Sequence, residues 1–237
     1  MVAPLNLLNP LRFYFFDKYI DSWQGLNVLD VGCGGGFTCE FLAMRSAKVT
    51  GIDQSAACIA SAGAHAKEVS YAIDYAIDYR QGEAERLPFE DGAFDVVTCV
   101  DVLEHVDDPA KAIAQMSRVL KPGGYFCFDT INRTWQSKLV MIWLLENTLR
   151  QIPRGVHDWH KFITPDELRA MLIQQQLEEV AIAGFDLFGK GVLEKWTRWR
   201  HYQGCGGFRV SFDNANTSAA EKRHRQRVMY IGVAVKT

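Results

Sequence analysis

Three side chains that can bind a metal or move a proton lie close together in the sequence: Asp101, Glu104 and His105. They belong to the stretch VDVLEHVDDP, which follows an apolar run typical of a buried strand. On a helix, positions i, i+3 and i+4 fall on one face, so the three groups could converge on one point. A second interpretation stays open, because acidic residues also favour the first turn of a helix without binding anything.

A glycine-rich turn, VLDVGCGGGF, lies upstream of this stretch and follows another apolar run. Glycines let the backbone turn sharply and approach a ligand closely. Asp53 ends the next predicted strand, 21 residues after Gly32, where its carboxylate can accept hydrogen bonds from both hydroxyls of a ribose. Position 37 is phenylalanine, so the G-x-G-x-x-G spacing of a dinucleotide site is absent and a dehydrogenase is disfavoured.

Alternating strand and helix patterns must position these residues. Apolar runs predict strands, and amphipathic patterns predict helices, in an order that implies a parallel sheet covered on both faces. A short strand is also expected within 79–92. The predicted strands are 26–32, 48–53, 94–100, 125–131, 178–189 and 227–236, and the predicted helices are 37–46, 54–68, 108–120 and 164–176.

Composition limits the classes of protein. The chain has 237 residues, 48% hydrophobic and 23% charged, which is normal for a globular protein with an ample core. A net charge of −2 gives no basic face for nucleic acid. None of the six cysteines forms a Cys-x-x-Cys pair, which favours free thiols in a reducing compartment. No signal peptide or long apolar span is recognised, so we expect a cytoplasmic protein.

The glycine turn and three later segments, GEAERLPFEDGAFDVV, TCVDVLEHV and RVLKPGG, together resemble class I S-adenosylmethionine-dependent methyltransferases. The resemblance implies one Rossmann-like α/β domain over residues 1–237, with a seven-stranded, mostly parallel sheet and helices on both faces. It implies S-adenosylmethionine as cofactor and a set of residues that contact it. Those residues are Asp30, Gly32, Gly34, Gly36 and Asp53, with Glu83 and Ala84 near the adenine.

A narrower resemblance is carried by NPLRF at 9–13, INR at 131–133 and GVHDWHKFITPDEL at 155–168. With the segments above, these are similar to the ubiquinone-biosynthesis O-methyltransferase family. That family methylates a catechol-like hydroxyl on a polyprenylated ring. The resemblance implies that Arg12 lies over the cofactor near its carboxylate, and that Val100 lies beside the adenosyl group.

The same resemblance gives Asp101, Glu104 and His105 a candidate role. The family has Glu-x-x-Glu-His at this place, which resembles a divalent metal site, and oxygen and imidazole ligands suit Mg²⁺. Asp101 is one methylene shorter than the family's glutamate, so the site could also fail. Without a metal, a general base is needed. His105 is then the first candidate and His157 the second, with Asp158 as an orienting carboxylate and His160 as a weaker choice.

Residues 133–163 are expected to form an inserted helical segment. Its core, SKLVMIWLLENTLRQIPRG, combines apolar residues with flanking Lys138, Arg150 and Arg154. Two interpretations stay open: a lid packed over the pocket, or an interfacial helix that makes peripheral contact with the inner face of a membrane.

The acceptor stays open as well, because residues 190–208 depart from the family. A small-molecule methyltransferase of secondary metabolism, acting on O, N or C, is one alternative. A non-catalytic cofactor-binding module that regulates a partner is another. Neither the acceptor nor the oligomeric state follows from the sequence.

Overall fold

A computed structural model describes residues 8–69, 76–150, 152–185, 218 and 226–237. Strand and helix alternate through its first half, as the sequence pattern predicts. The strands are β1 Asn27–Val31, β2 Lys48–Asp53, β3 Asp78–Gln81, β4 Phe94–Cys99, β5 Leu120–Ile131, β6 Leu177–Phe185 and β7 Met229–Lys236. The helices are α1 Asn9–Phe16, α2 Phe37–Ala43, α3 Ala56–Val69, α4 Pro109–Val119, α5 Trp135–Ser137 and α6 Pro165–Gln174. The divergent region 190–208 lies outside the described residues.

The seven strands form one sheet in the order β3-β2-β1-β4-β5-β7-β6. Strands β1 to β5 pair in parallel, and β7 runs antiparallel to both β5 and β6. The prediction of a seven-stranded, mostly parallel sheet is therefore confirmed. Because β1 to β5 run in one direction, their carboxyl ends share one edge, which is where ligands bind in such sheets.

Two buried clusters, one on each face of the sheet, hold the helices in place. Successive residues of a strand point to opposite faces, and accordingly Val28 belongs to one cluster while Leu29 belongs to the other. The first cluster contains side chains of α1 and α2, and the second contains side chains of α4 and α6. Helices on both faces are thus confirmed.

Local sequence sets where two helices begin. Thr164 caps α6, its hydroxyl accepting from the amide of Glu167 while the Glu167 carboxylate accepts from the amide of Thr164, as the Thr-Pro-x-Glu pattern predicts. Asp108 caps α4 by accepting from the amide of Lys111, and Pro109 is the first residue of the helix. The chain therefore reaches α4 only after residue 108.

The inserted segment leaves the sheet after β5. The short helix α5 continues as a π-helix over Lys138–Thr148, here called the insertion helix, and a 3₁₀ turn at Trp159–Lys161 follows. The chain then returns to the sheet edge, where the amide of Ile163 donates to the carbonyl of Ile131 at 3.1 Å. Among helices in the described ranges, none is both long and apolar enough to span a bilayer.

Candidate active site

The loop after β1 is shaped by three glycines with left-handed backbone, Gly32, Gly34 and Gly36. A Cβ at Gly32 would lie 2.3 Å from a methyl of Val102, and one at Gly36 would lie 2.3 Å from the hydroxyl of Tyr79. A Cβ at Gly34 would meet nothing within 4 Å. Two glycines therefore allow close packing of the loop against the protein, whereas Gly34 leaves open space that a ligand can enter.

Asp53 ties the end of β2 to this loop. Its Oδ2 accepts from the amide of Gly34 at 2.9 Å, and its Oδ1 accepts from the amide of Ser55 at 2.8 Å. A carboxylate offers about four acceptor positions, so capacity remains for two hydroxyl donors. The open space at Gly34 and the carboxylate beside it fit the predicted nucleoside.

Asp30 is a buried carboxylate near the carboxyl end of β1. It is 1% exposed, and its oxygens accept from the hydroxyl of Thr98 at 2.7 Å and from the thiol of Cys39 at 3.3 Å. Burial raises its pKa to about 6, although these two hydrogen bonds oppose the rise. The structure thus ties Asp30 to β4 and to α2, and its contact with the cofactor stays a prediction.

The residues predicted near the adenine lie at the carboxyl ends of β3 and β4. Glu83 forms a tight turn bridged to Arg86, and Ala84 packs against one buried cluster. Val100 packs against the other cluster at the end of β4. Their contact with an adenosyl group stays a prediction.

Arg12 is buried and faces two carboxylates. Its Nε donates to Asp129 at 2.5 Å, and its Nη2 donates to Asp101. Although burial alone would lower the pKa of Arg12, the two aspartates raise it above its usual value. In this structure the guanidinium belongs to an ion-pair network that joins α1 to the sheet, and its contact with the cofactor carboxylate stays a prediction.

The predicted convergence of Asp101, Glu104 and His105 on a helical face is wrong. Residues 101–107 form turns, and Asp101 has left-handed backbone with φ 55°. Position 101 is not a glycine, so its left-handed backbone depends on other contacts. One is the ion pair with Arg12, and the other is the Asp101 amide, which donates to Asp129 at 2.8 Å. The three side chains would share one face only if a helix began by residue 101, whereas α4 begins at Pro109.

Glu104 belongs to this turn, and its side chain is buried. Its Oε2 accepts from the hydroxyl of Thr130 at 2.7 Å, and its Oε1 has no partner among the described residues. Burial, with Asp101 nearby, raises the pKa of Glu104 to about 8. Across the described ranges, no group of three or more His, Cys, Asp or Glu side chains is arranged to hold a metal. The three predicted ligands do not fit a divalent ion in this arrangement.

His105 meets His157 at the carboxyl edge of the sheet. Their ring centroids are 5.3 Å apart with an interplanar angle of 31°. Partial burial, followed by the proximity of His157, lowers the pKa of His105. The amide of His105 donates to the carbonyl of Val102 at 2.8 Å, and Val102 is the residue that packs on Gly32. The structure therefore brings the two predicted bases together, and the turn that carries His105 packs through Val102 against Gly32.

The carboxylate paired with His157 is Glu146, which the sequence analysis missed. Glu146 Oε1 lies 2.6 Å from Nδ1 of His157. Asp158 was predicted for this role, but its carboxylate accepts from the amide of His160 and caps the 3₁₀ turn. One signal could have identified Glu146, because it is the single charged residue within the apolar run 139–149.

This chain is similar to known methyltransferases over most of its length. The family described as "Methyltransferase domain" matches residues 29–128. A ubiquinone biosynthesis O-methyltransferase of Alkalilimnicola ehrlichii is 44% identical over 166 residues, 70% of this chain and 66% of that protein. One from Hahella chejuensis is 44% identical over 182 residues, 76% of this chain and 74% of that protein. The matched region thus spans about two thirds to three quarters of these relatives.

The fold is shared with solved methyltransferases. Magnesium protoporphyrin IX methyltransferase from Synechocystis PCC 6803, with bound SAH, superposes with a TM-score of 0.63 at 16% identity. The match covers 97% of this chain and 83% of that one. At this identity the similarity shows the class I methyltransferase fold, and the chemistry must come from the site itself.

Proposed function

This chain belongs to the family of ubiquinone biosynthesis O-methyltransferases and is S-adenosylmethionine-dependent, and we propose that it methylates a catechol-like hydroxyl of a ubiquinone-type precursor. One observation carries the acceptor class. The glycine loop and the turn that carries His105 both lie at the carboxyl edge of the sheet, Val102 of that turn packs against Gly32, and the ring of His157 lies against that of His105. A hydroxyl acceptor needs a group that removes its proton next to the bound cofactor.

Each residue of the site has a separate role in this reaction. S-adenosylmethionine, when bound, supplies an electrophilic methyl group on a positively charged sulfur. Gly34 leaves room for it, and Asp53 offers acceptors to its ribose hydroxyls. A phenolic hydroxyl becomes a good nucleophile as it loses its proton, and a histidine at hydrogen-bond distance can take that proton. His157 is the better placed base, because a buried carboxylate holds its ring.

Methyl transfer to a small water-soluble catechol tests this function. We expect product with one added methyl group by mass spectrometry, and loss of most turnover in His157→Gln. We expect Asp53→Ala to weaken S-adenosylmethionine binding by calorimetry, because the ribose would lose its paired acceptor. A protein that binds S-adenosylmethionine but methylates no catechol would refute the proposed acceptor class.

The divalent ion predicted from the family resemblance is tested in the same assay. An ion at Asp101 would require its ion pair with Arg12 to open. Turnover abolished by a chelator and restored by Mg²⁺ would support the ion. Turnover unchanged by the chelator and in Asp101→Asn would remove it from the proposal.

We further propose that the inserted segment, 133–163, covers the acceptor site on one side and contacts a membrane on the other. Its inward residue Met141 belongs to the buried cluster. Trp135, Leu139 and Trp143 are 69%, 48% and 62% exposed and recur every four residues. Lys138 lies over the ring of Trp159 at 5.0 Å, close to this stripe. Exposed tryptophans beside cations are typical of interfacial helices.

A further inference from the structure

Glu146 lies on the inward face of the insertion helix, directly after the apolar residues 139–145. The insertion helix is wound with i→i+5 hydrogen bonds, so residues five apart share a face, and its two buried residues are Met141 and Glu146. The same winding is seen where the amide of Leu149 donates to the carbonyl of Leu144 at 2.7 Å. The π-helical register therefore places an acidic side chain against the active site.

The carboxylate of Glu146 is fully engaged by the loop that carries His157. Its Oε2 accepts from the amide of Gly155 at 2.9 Å. Its Oε1 accepts from the amide of His157 at 2.9 Å and lies 2.6 Å from Nδ1 of the same residue. Glu146 is 1% exposed. The two backbone donors hold the carboxylate in one orientation. This orientation directs Oε1 toward Nδ1 of His157.

An ionised carboxylate only accepts hydrogen bonds, so Nδ1 of His157 must carry the proton. The other ring nitrogen, Nε2, then has its lone pair free. The ring is held on two further sides by His105 and by Phe162, whose centroid lies 5.9 Å away, edge-on. The side chain of His157 is only 7% exposed. Its ring thus has little freedom to rotate.

We propose that Glu146 is a positioning residue that keeps His157 in the Nδ1–H form, with Nε2 ready to take the acceptor proton. The inference rests on the proposed function, and it adds the residue that orients the general base, His157. As the acceptor oxygen forms its bond to the methyl carbon, the S–CH₃ bond breaks and its electron pair stays on sulfur. The hydroxyl proton moves to Nε2, and the buried carboxylate of Glu146 stabilises the resulting imidazolium.

Glu146→Gln is the decisive variant, because it keeps the size of the side chain and removes the charge. We expect kcat to fall by about 100-fold or more, the size of a lost general base, while KM changes less than about threefold, because Glu146 need not touch the acceptor. Glu146→Asp keeps the charge and is expected to recover part of kcat. Glu178→Gln, the same change at an exposed site on edge strand β6, is the matched control and should retain kcat.

The tautomer is measured directly by ¹⁵N NMR of histidine-labelled protein in the presence of chelator, with His157→Gln used to assign the signals. We expect Nδ1–H for His157 in the unmodified protein and in Asp158→Asn, and a shift toward Nε2–H in Glu146→Gln. An Nε2–H signal in the unmodified protein would overturn the proposal even if a variant fails to fold.

The outcomes separate this inference from the proposed function. If the unmodified protein methylates a catechol and Glu146→Gln keeps its kcat, the function stands and the role of Glu146 is wrong. If no catechol is methylated, the proposed acceptor class is wrong, and the NMR spectrum alone decides whether Glu146 fixes the ring of His157.

Discussion

Gly34 and Gly36 have the same left-handed backbone but different surroundings, which separates a role in binding from one in packing. Alanine at Gly34 meets no atom within 4 Å, so it should cost about 1–2 kcal/mol of unfolding free energy for the backbone alone. Its methyl would occupy the ligand space, and we expect weaker S-adenosylmethionine binding by calorimetry. Unchanged affinity would contradict the assignment of Gly34 to the cofactor cleft.

Gly36→Ala should instead act on stability. Its Cβ would overlap the hydroxyl of Tyr79, which itself donates to the carbonyl of Gly36. Backbone strain and overpacking together should lower the free energy of unfolding by about 2–5 kcal/mol, measured by urea denaturation. Gly34→Ala is the control, and equal losses in the two variants would contradict the packing argument.

Asp30 should make stability depend on pH. Burial raises its pKa from 3.8 to about 6, so between these values the folded protein binds a proton that the unfolded chain has released. Stability therefore falls as pH rises through this window, by about 3 kcal/mol in total, and the loss is complete above it. Asp30→Asn lacks a titratable group at this position, so it does not have this pH dependence of stability.

The difference in unfolding free energy between Asp30→Asn and the unmodified protein should accordingly grow by about 2.4 kcal/mol from pH 4 to pH 7. Urea titrations at several pH values measure it. A difference that stays constant over this window would show that Asp30 is not held in a buried, proton-retaining site.

At the scale of elements, α1 is attached to the sheet by charge as well as by apolar packing. Arg12 reaches Asp129 on β5 and Asp101 in the turn after β4. Arg12→Met would leave the buried Asp129 and the partly buried Asp101 without their cation and should cost about 3–5 kcal/mol of unfolding free energy. Adding Asp129→Asn should recover part of that loss, because one uncompensated charge is then removed.

Arg86→Met, at an exposed arginine, is the control and should change stability by less than about 0.5 kcal/mol. If Arg12→Met is as mild as this control, the network does not hold α1. Thermal unfolding followed by circular dichroism gives the comparison, and the double variant shows which charge causes the loss.

Elements with strong local patterns were predicted correctly, and elements set by distant contacts were not. Thr164, Pro165 and Glu167 are a helix start in the sequence and in the structure, because capping needs only neighbouring residues. The turn that carries His105 was predicted as helix, since nothing nearby in the chain shows that Arg12 and Asp129 hold Asp101 in a left-handed conformation.

The pairing of His157 was missed for a similar reason. Asp158 is its neighbour in sequence, but the chain turns between the insertion helix and Gly155, and Glu146 becomes its neighbour in space. A helical pattern with period 3.6 does not predict that residues five apart share the inward face. The histidines themselves were predicted from motifs, and their geometry required the fold.

At the scale of the whole molecule, the sheet places its ligand edge and the insertion helix on the same side. The glycine loop, His105 and the end of β5 at Ile131 all lie at the carboxyl edge, and the inserted segment leaves from and returns to Ile131. The proposed membrane contact requires this placement, because an apolar acceptor then enters from the bilayer without crossing water. The exposed stripe Trp135, Leu139 and Trp143 is the surface that this orientation would use.

Trp135→Ser combined with Trp143→Ser tests that orientation. Both side chains are exposed, so stability should change little, whereas removal of two large apolar groups should weaken vesicle binding by at least about tenfold. Sedimentation with phosphatidylglycerol-containing vesicles at low salt measures it, and turnover of a water-soluble catechol should persist.

Ile173→Ser, at an apolar residue 75% exposed on α6, controls for general loss of apolar surface. If the unmodified protein stays in the supernatant, or if the double variant sediments as the Ile173 control does, the stripe is not a membrane surface and the insertion helix serves only to cover the site and position Glu146.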